Sequence, residues 1–181
     1  MRFYVEKLKE KDVVLEFSEA VENFPALNAL TQSGECRFSG PVSGTLRAYL
    51  ANSFVEVEGQ VAARVVQACS RCLKDIEAPL RASFALTFSS GLPPIEGGED
   101  SEVELSAEDM GLIPFEGDEI DLRDAVQEQV IMELPVRPLC DESCRGLCAQ
   151  CGANRNETEC GCGAPVFNNK FAALKGFKAQ K

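Results

Sequence analysis

From Arg37 to Phe88 the pattern is strongly that of β-strands, and no feature limits the fold more. Leu46, Ala48 and Leu50 alternate with Thr45, Arg47 and Tyr49. Val55, Val57 and Val61 follow, set off by Glu56 and Glu58, and Leu80, Ala82, Phe84, Leu86 and Phe88 then alternate with Arg81, Ser83, Ala85 and Thr87. A period of two buries one face of a strand and wets the other. Three or four such strands on short connections predict an antiparallel sheet. "ANS" (Ala51–Ser53) and "EGQ" (Glu58–Gln60) read as its turns, and Arg2 to Phe17 as one or two further strands.

Helical signal is sparse. "EIDLRDAVQEQVIMELP" predicts a helix over about 121–134. Asp121 is its candidate cap, Leu122, Val126, Val130 and Leu134 form the apolar stripe, and Pro135 ends it. Residues 18–30 are ambiguous, because Pro25 interrupts a helix there, and "TQSGE" (Thr31–Glu35) reads as a loop. The expected fold is α+β: an antiparallel sheet, one main packed helix and a Cys-rich zinc-binding tail. The expected domains are an α+β domain over 1–135, with an acidic linker at about 89–102, and a tail over 136–181 packed on it. Phe171, Leu174 and Phe177 suggest a short closing helix.

The chain has nine cysteines and no histidine. Cys–His catalysis is therefore excluded, and soft-ligand chemistry must be thiolate. The N-terminus lacks the apolar core of a secretory signal and no apolar run is long enough for a membrane span, so a cytoplasmic, reducing location is expected. In that setting clustered cysteines favour metal over structural disulfides. Cys148-Ala-Gln-Cys151 and Cys160-Gly-Cys162 lie within one short segment and can close a four-thiolate zinc site by themselves. Gly152 suits the knuckle, and Gly161 lets the second pair converge. Cys69-Ser-Arg-Cys72, Cys140 and Cys144 are also four. They read either as a second site, clipping the sheet to the segment after the helix, or as small buried residues. One or two zinc ions are expected accordingly, and Cys36 is left as a buried free thiol. A thioredoxin-like reading of either CxxC lacks the strand-to-helix setting that such chemistry needs. Arg71, Lys74, Arg145 and Arg155, beside the sulfurs, either offset thiolate charge or are simply exposed.

Charge is unevenly spread. Residues 91–133 carry 14 acidic side chains and one basic, whereas residues 134–181 carry seven basic and four acidic. So acidic a chain is a poor general nucleic-acid binder, and its acidic segment fits a basic protein. No phosphate-binding loop occurs, no small-molecule substrate is evident, and nothing singles out a catalytic carboxylate pair.

"CSRCL", then "DEIDLRDAVQEQVIMELPVRPLC", then "CRGLCAQCGANRN", "CGC" and "NNKFAALKGF" occur in that order. This ordered set resembles the YceD family, bacterial proteins with plastid relatives described as large ribosomal RNA subunit accumulation proteins. The resemblance spans roughly residues 35–178. It places Cys69 and Cys72 on the first motif, Asp121, Leu122, Glu128 and Pro135 on the helix motif, and the six later cysteines on the tail. Asn154, Asn156, Phe171, Leu174 and Lys175 match its closing part. It implies a non-enzymatic role in accumulation of large-subunit ribosomal RNA and in large-subunit biogenesis. The implied partner is that RNA or a basic ribosomal protein. A cysteine-based redox or zinc-sensing protein and a purely structural adaptor are the alternatives.

Overall fold

The computed structural model describes residues 1–91 and 111–163. They divide into two compact units: Met1–Gln67 with Ile76–Val136, and Ala68–Asp75 with the chain from Arg137 onward. Among the described residues no helix is long and apolar enough to cross a membrane.

In the first unit, β1 (Arg2–Tyr4) is followed by a 3-10 turn, β2 (Val13–Glu19), a second 3-10 turn and helix α1 (Pro25–Ser33). Then come β3 (Arg37–Phe38), β4 (Val42–Ala51), β5 (Phe54–Ala68), β6 (Asp75–Ser90), β7 (Leu112–Phe115), β8 (Glu119–Asp121) and α2 (Arg123–Met132). The main sheet has the order β2-β4-β5-β6-β7, with β3 also paired to β5. A separate ribbon pairs β1 with β8. β2 and β5 flank β4 antiparallel, whereas β7 joins β6 in parallel. The sheet is therefore mixed rather than antiparallel throughout. A parallel partner needs a long crossover, and the long segment between Ser90 and Leu112 supplies the length.

Alternation governs which face is buried. Val55, Val57, Val61, Ala63 and Val65 of β5 are buried, with Leu46 and Ala48 of β4 and Leu80, Ala82 and Phe88 of β6. Asn52 and Ser53 make a two-residue hairpin, with Asn52 in the left-handed region at φ 56°. Asparagine tolerates that conformation, so "ANS" is a turn for a local reason. "EGQ" is not a turn: β5 runs straight through it. Gly59 is there because Phe84 packs over it. A Cβ at that position would lie 2.3 Å from the ring, so the glycine serves close packing, not chain reversal.

The described residues hold two α-helices, where the sequence predicts one main helix and leaves residues 18–30 ambiguous. Pro25 opens α1 instead of interrupting it: at the first helical position its missing N–H is no loss. The helix takes in Thr31 to Ser33, read above as loop, and stops at Gly34, which has φ 78°. The N–H of Ala26, which lacks a helical partner, donates to Oε1 of buried Gln127 at 2.9 Å. Gln127 also donates to Asp124 at 2.8 Å. This buried amide satisfies the start of one helix from the side of the other.

α2 is shorter than predicted, ending at Met132. Its stripe is otherwise as expected, with Leu122, Ala125, Val126 and Val130 buried. Leu122, not Asp121, occupies the cap position and makes no side-chain cap bond. Asp121 instead closes β8 and accepts from the Arg123 N–H at 3.0 Å, from its guanidinium at 2.9 Å and from Arg2 at 2.8 Å. Partial burial pushes its carboxyl up, but these donors more than offset that and hold it down at about 2.

Most of the acidic linker predicted at 89–102 and the closing helix with Phe171, Leu174 and Phe177 lie outside the described residues.

Candidate metal centres

The second unit is organised by eight cysteines. Cys69, Cys72, Cys140 and Cys144 form one quartet and Cys148, Cys151, Cys160 and Cys162 another. Within each, all four sulfurs lie within 4.8 Å of one another. Cys36 joins neither; it is buried in the core of the first unit, and burial pushes its thiol up.

The first quartet is assembled from two distant pieces of chain. In the first, the Cys69 N–H donates to the Lys74 carbonyl at 2.8 Å and the Leu73 N–H to the Cys69 carbonyl at 2.9 Å. These bonds close a tight knuckle, with Leu73 at φ 60°. The second piece docks through backbone. Ser70 N–H donates to the Pro138 carbonyl at 2.8 Å, and Leu147 N–H to the Arg71 carbonyl at 3.0 Å. The Arg71 guanidinium donates to the carbonyls of Glu142 (2.8 Å) and Cys144 (2.9 Å). Its role is thus to tie the two pieces together rather than to stand beside the sulfurs.

The resulting spacing suits one ion. Sγ of Cys72 is 3.6 Å from that of Cys140, and Sγ of Cys69 is 3.9 Å from that of Cys144. A tetrahedron with metal–sulfur bonds of about 2.3 Å has edges of about 3.8 Å. Cys69, Cys72 and Cys144 are buried, and Leu139 and Leu147 pack against them.

The second quartet comes from 15 consecutive residues, Cys148 to Cys162. Cys148 N–H donates to the Ala153 carbonyl and Gly152 N–H to the Cys148 carbonyl, at 2.8 and 2.9 Å. Gly152 has φ 74°, the left-handed conformation that the knuckle requires. Here no sulfur is fully buried, and Cys151 is exposed.

Backbone amides polarise both sites in the same way. N–H groups of Cys140, Cys72 and Arg71 point at Cys69 and lower its thiol to about 6. Those of Cys151 and Gln150 lower Cys148 to about 6 as well. In return, thiols facing these sulfurs are held protonated. Cys140 is raised to about 12 by Cys144 and Cys72, and Cys162 to about 12 by Cys151 and Cys148. Each set thus combines thiols poised to ionise with others that resist it; in the first, Cys144 is lowered as well, its burial being outweighed by the Asn156 amide and the Gly146 N–H. A divalent cation at the centre resolves that conflict, because bound thiols are deprotonated outright. Both quartets can hold a metal ion.

One contributor was missed by the motif reading. Asn156 donates from Nδ2 to Sγ of Cys144 at 3.2 Å, and its Oδ1 accepts from the Arg145 N–H at 2.7 Å. The family resemblance included Asn156 but gave it no role. Only its position in space shows one.

The family described as Large ribosomal RNA subunit accumulation protein YceD matches residues 57–178. A relative in Arabidopsis thaliana, "Large ribosomal RNA subunit accumulation protein YCED homolog 1, chloroplastic", is 25% identical over 146 residues, covering 70% of this chain and 45% of the relative. An uncharacterized protein of Mycobacterium tuberculosis is 36% identical over 107 residues, 59% of this chain and 48% of that protein. Another from Mycobacterium leprae is 27% identical over 117 residues, 65% and 50% respectively. The chain spans about half the length of these curated relatives. No solved structure matches it significantly. With a match that starts within β5 and takes in both cysteine quartets, the chain belongs to the Large ribosomal RNA subunit accumulation protein YceD family.

Proposed function

We propose that the chain is a non-enzymatic factor in the accumulation of large-subunit ribosomal RNA, and so in biogenesis of the large ribosomal subunit, acting in the cytoplasm. The observation that carries this reading is the family match over residues 57–178. The printed name of the Arabidopsis relative points the same way. Two zinc ions hold the Cys-rich unit, one on Cys69, Cys72, Cys140 and Cys144, the other on Cys148, Cys151, Cys160 and Cys162. Zinc is favoured over an iron–sulfur cluster because the sulfurs within each quartet are too close to reach separate irons. With all four positions filled by protein, such a site supports structure rather than a reaction.

Partner contact divides by charge. The acidic stretch over residues 91–133 suits a basic ribosomal protein, and Lys170, Lys175, Lys178 and Lys181 suit ribosomal RNA phosphates. Depletion of the protein is expected to lower the ratio of large- to small-subunit RNA. An unchanged ratio would overturn the assignment.

That none of the second quartet's cysteines is buried favours a second reading, a zinc- or redox-sensing role for that quartet. It predicts reversible zinc release by mild oxidant at ribosomal RNA levels that do not respond to depletion.

A further inference from the structure

Asn156 belongs by sequence to the second quartet, between Cys151 and Cys160, but in space it touches a sulfur of the first. Its side chain is fixed from several directions. Asn154 Oδ1 accepts from both the N–H and Nδ2 of Asn156, at 3.1 and 2.9 Å. Asn154 is itself held by Glu157 Oε1 at 2.9 Å. The loop carrying them is sewn to the chain between the quartets: Leu147 bridges Asn154, and the Arg155 N–H donates to the Gly146 carbonyl at 2.9 Å. That intervening chain leans on the first knuckle in turn. Gly146 has φ 70° and lies so close to Arg71 that a Cβ would meet its carbonyl at 2.9 Å.

An ion in the second quartet would pin both ends of the loop that presents Asn156. The loop's ordering cost is then already met when an ion enters the first, and the N–H···S bond to Cys144 is in place to receive it. Groups that hydrogen-bond a metal ligand typically change metal affinity by about 10–100-fold. Sharing an ordering cost is a source of positive coupling between sites.

We propose that Asn156 is a positioning residue for the first quartet, and that through it the two sites fill cooperatively. The inference rests on the reading of both quartets as metal sites.

Zinc titration of the full metal-stripped chain, with the ions per chain counted by native mass spectrometry, tests it. At half-loading the wild type is expected to show chains with no ion and with two, and few with one. Asn156→Asp keeps the acceptor for Arg145 but loses the donor to sulfur. It is expected to accumulate one-ion chains and to bind zinc at the first quartet about tenfold more weakly or worse. Cys160→Ser/Cys162→Ser, which disables the second quartet, should weaken the first by a similar factor. In the cadmium-113 resonance spectrum of the loaded protein, Asn156→Asp should shift the line that survives in the Cys160→Ser/Cys162→Ser variant. A merely destabilised loop would leave that line in place. A statistical spread of zero, one and two ions in the wild type overturns the coupling, and an unmoved line overturns the positioning role of Asn156; either leaves the metal sites intact. A wild-type chain that binds no zinc overturns both.

Discussion

The two cysteine quartets use the same ligands and hold them in opposite ways. The first joins residues some 70 positions apart and keeps three of its four sulfurs buried. The second folds from a single short segment and leaves Cys151 in the open. Closing a long loop restricts the unfolded chain more than closing a short one, though the dependence on length is only logarithmic. Burial adds a larger difference, since it shields thiolates from oxidants and competing ligands. Each quartet has one exposed member, Cys140 in the first and Cys151 in the second, but the first keeps its other three cysteines buried and the second buries none.

The largest expected effect is from breaking the long-range set. Cys69→Ser should remove zinc from the first quartet and destabilise the cysteine-rich unit by several kcal/mol, as loss of a structural ion does. Thermal melting with metal counting checks this. Cys151→Ser, at the exposed corner of the other quartet, should cost clearly less.

Glycine substitutions separate packing from metal. Gly59→Ala drives a Cβ into the Phe84 ring and Leu46, an overpacking cost of about 1–3 kcal/mol, and should leave zinc content unchanged. Gly146→Ala, strained at φ 70° and crowded against Arg71, should cost a similar amount but weaken zinc retention at the first quartet. Equal zinc loss in both variants would erase the distinction between the units.

Reactivity gives a subtler contrast. In the metal-free chain Cys148, lowered to about 6, is a thiolate at pH 7, whereas Cys162, raised to about 12, is not. Alkylation with mass-spectrometric mapping should therefore modify Cys148 at least tenfold faster than Cys162. Cys69 is depressed to about 6 as well, from an ordinary 9.0. Its sign follows from the proton count: the unfolded thiol binds the proton more tightly. Ionised Cys69 thus stabilises the metal-free fold fully above about pH 9, and that contribution is lost as pH falls through about 6. Urea titrations of the metal-free chain across that window should show the midpoint falling with pH.

The smallest effect belongs to Asp121. Asp121→Asn should cost about 0.5–1 kcal/mol, modest because water screens so exposed a group. Its carboxyl is depressed from 3.8 to about 2, so the stabilisation is present above pH 3.8 and fades as pH falls through 2. Zinc content should not respond.

Much of this was legible in the residues. Alternation identified the buried faces of β4, β5 and β6, because side chains two apart must share a face whatever the strand pairs with. The second quartet was legible for a similar reason: its ligands are near neighbours, and short spacing limits where their sulfurs can go. Reading failed where a local signal had two physical meanings. A proline breaks a helix interior but opens a helix at its first residue, as Pro25 does, and a glycine marks a turn or, like Gly59, leaves room for a ring. Asp121 does meet a free N–H of the first turn, that of Arg123, but from one residue before the cap position and with Arg2 sharing its carboxylate.

What the sequence determined alone was therefore the short-range part: strand faces, the apolar stripe of α2, the Cys148–Cys162 knuckle and the order of motifs that marks the family. The tertiary structure decided the long-range part: the parallel seat of β7, the amide of Gln127 under α1, the meeting of Cys69 and Cys72 with Cys140 and Cys144, and the reach of Asn156 to Cys144. Local backbone geometry and side-chain period act over a few residues and can be read in order along a chain. Which distant groups meet depends on how the whole core closes, and that is settled only when every buried face and backbone amide has found its partner.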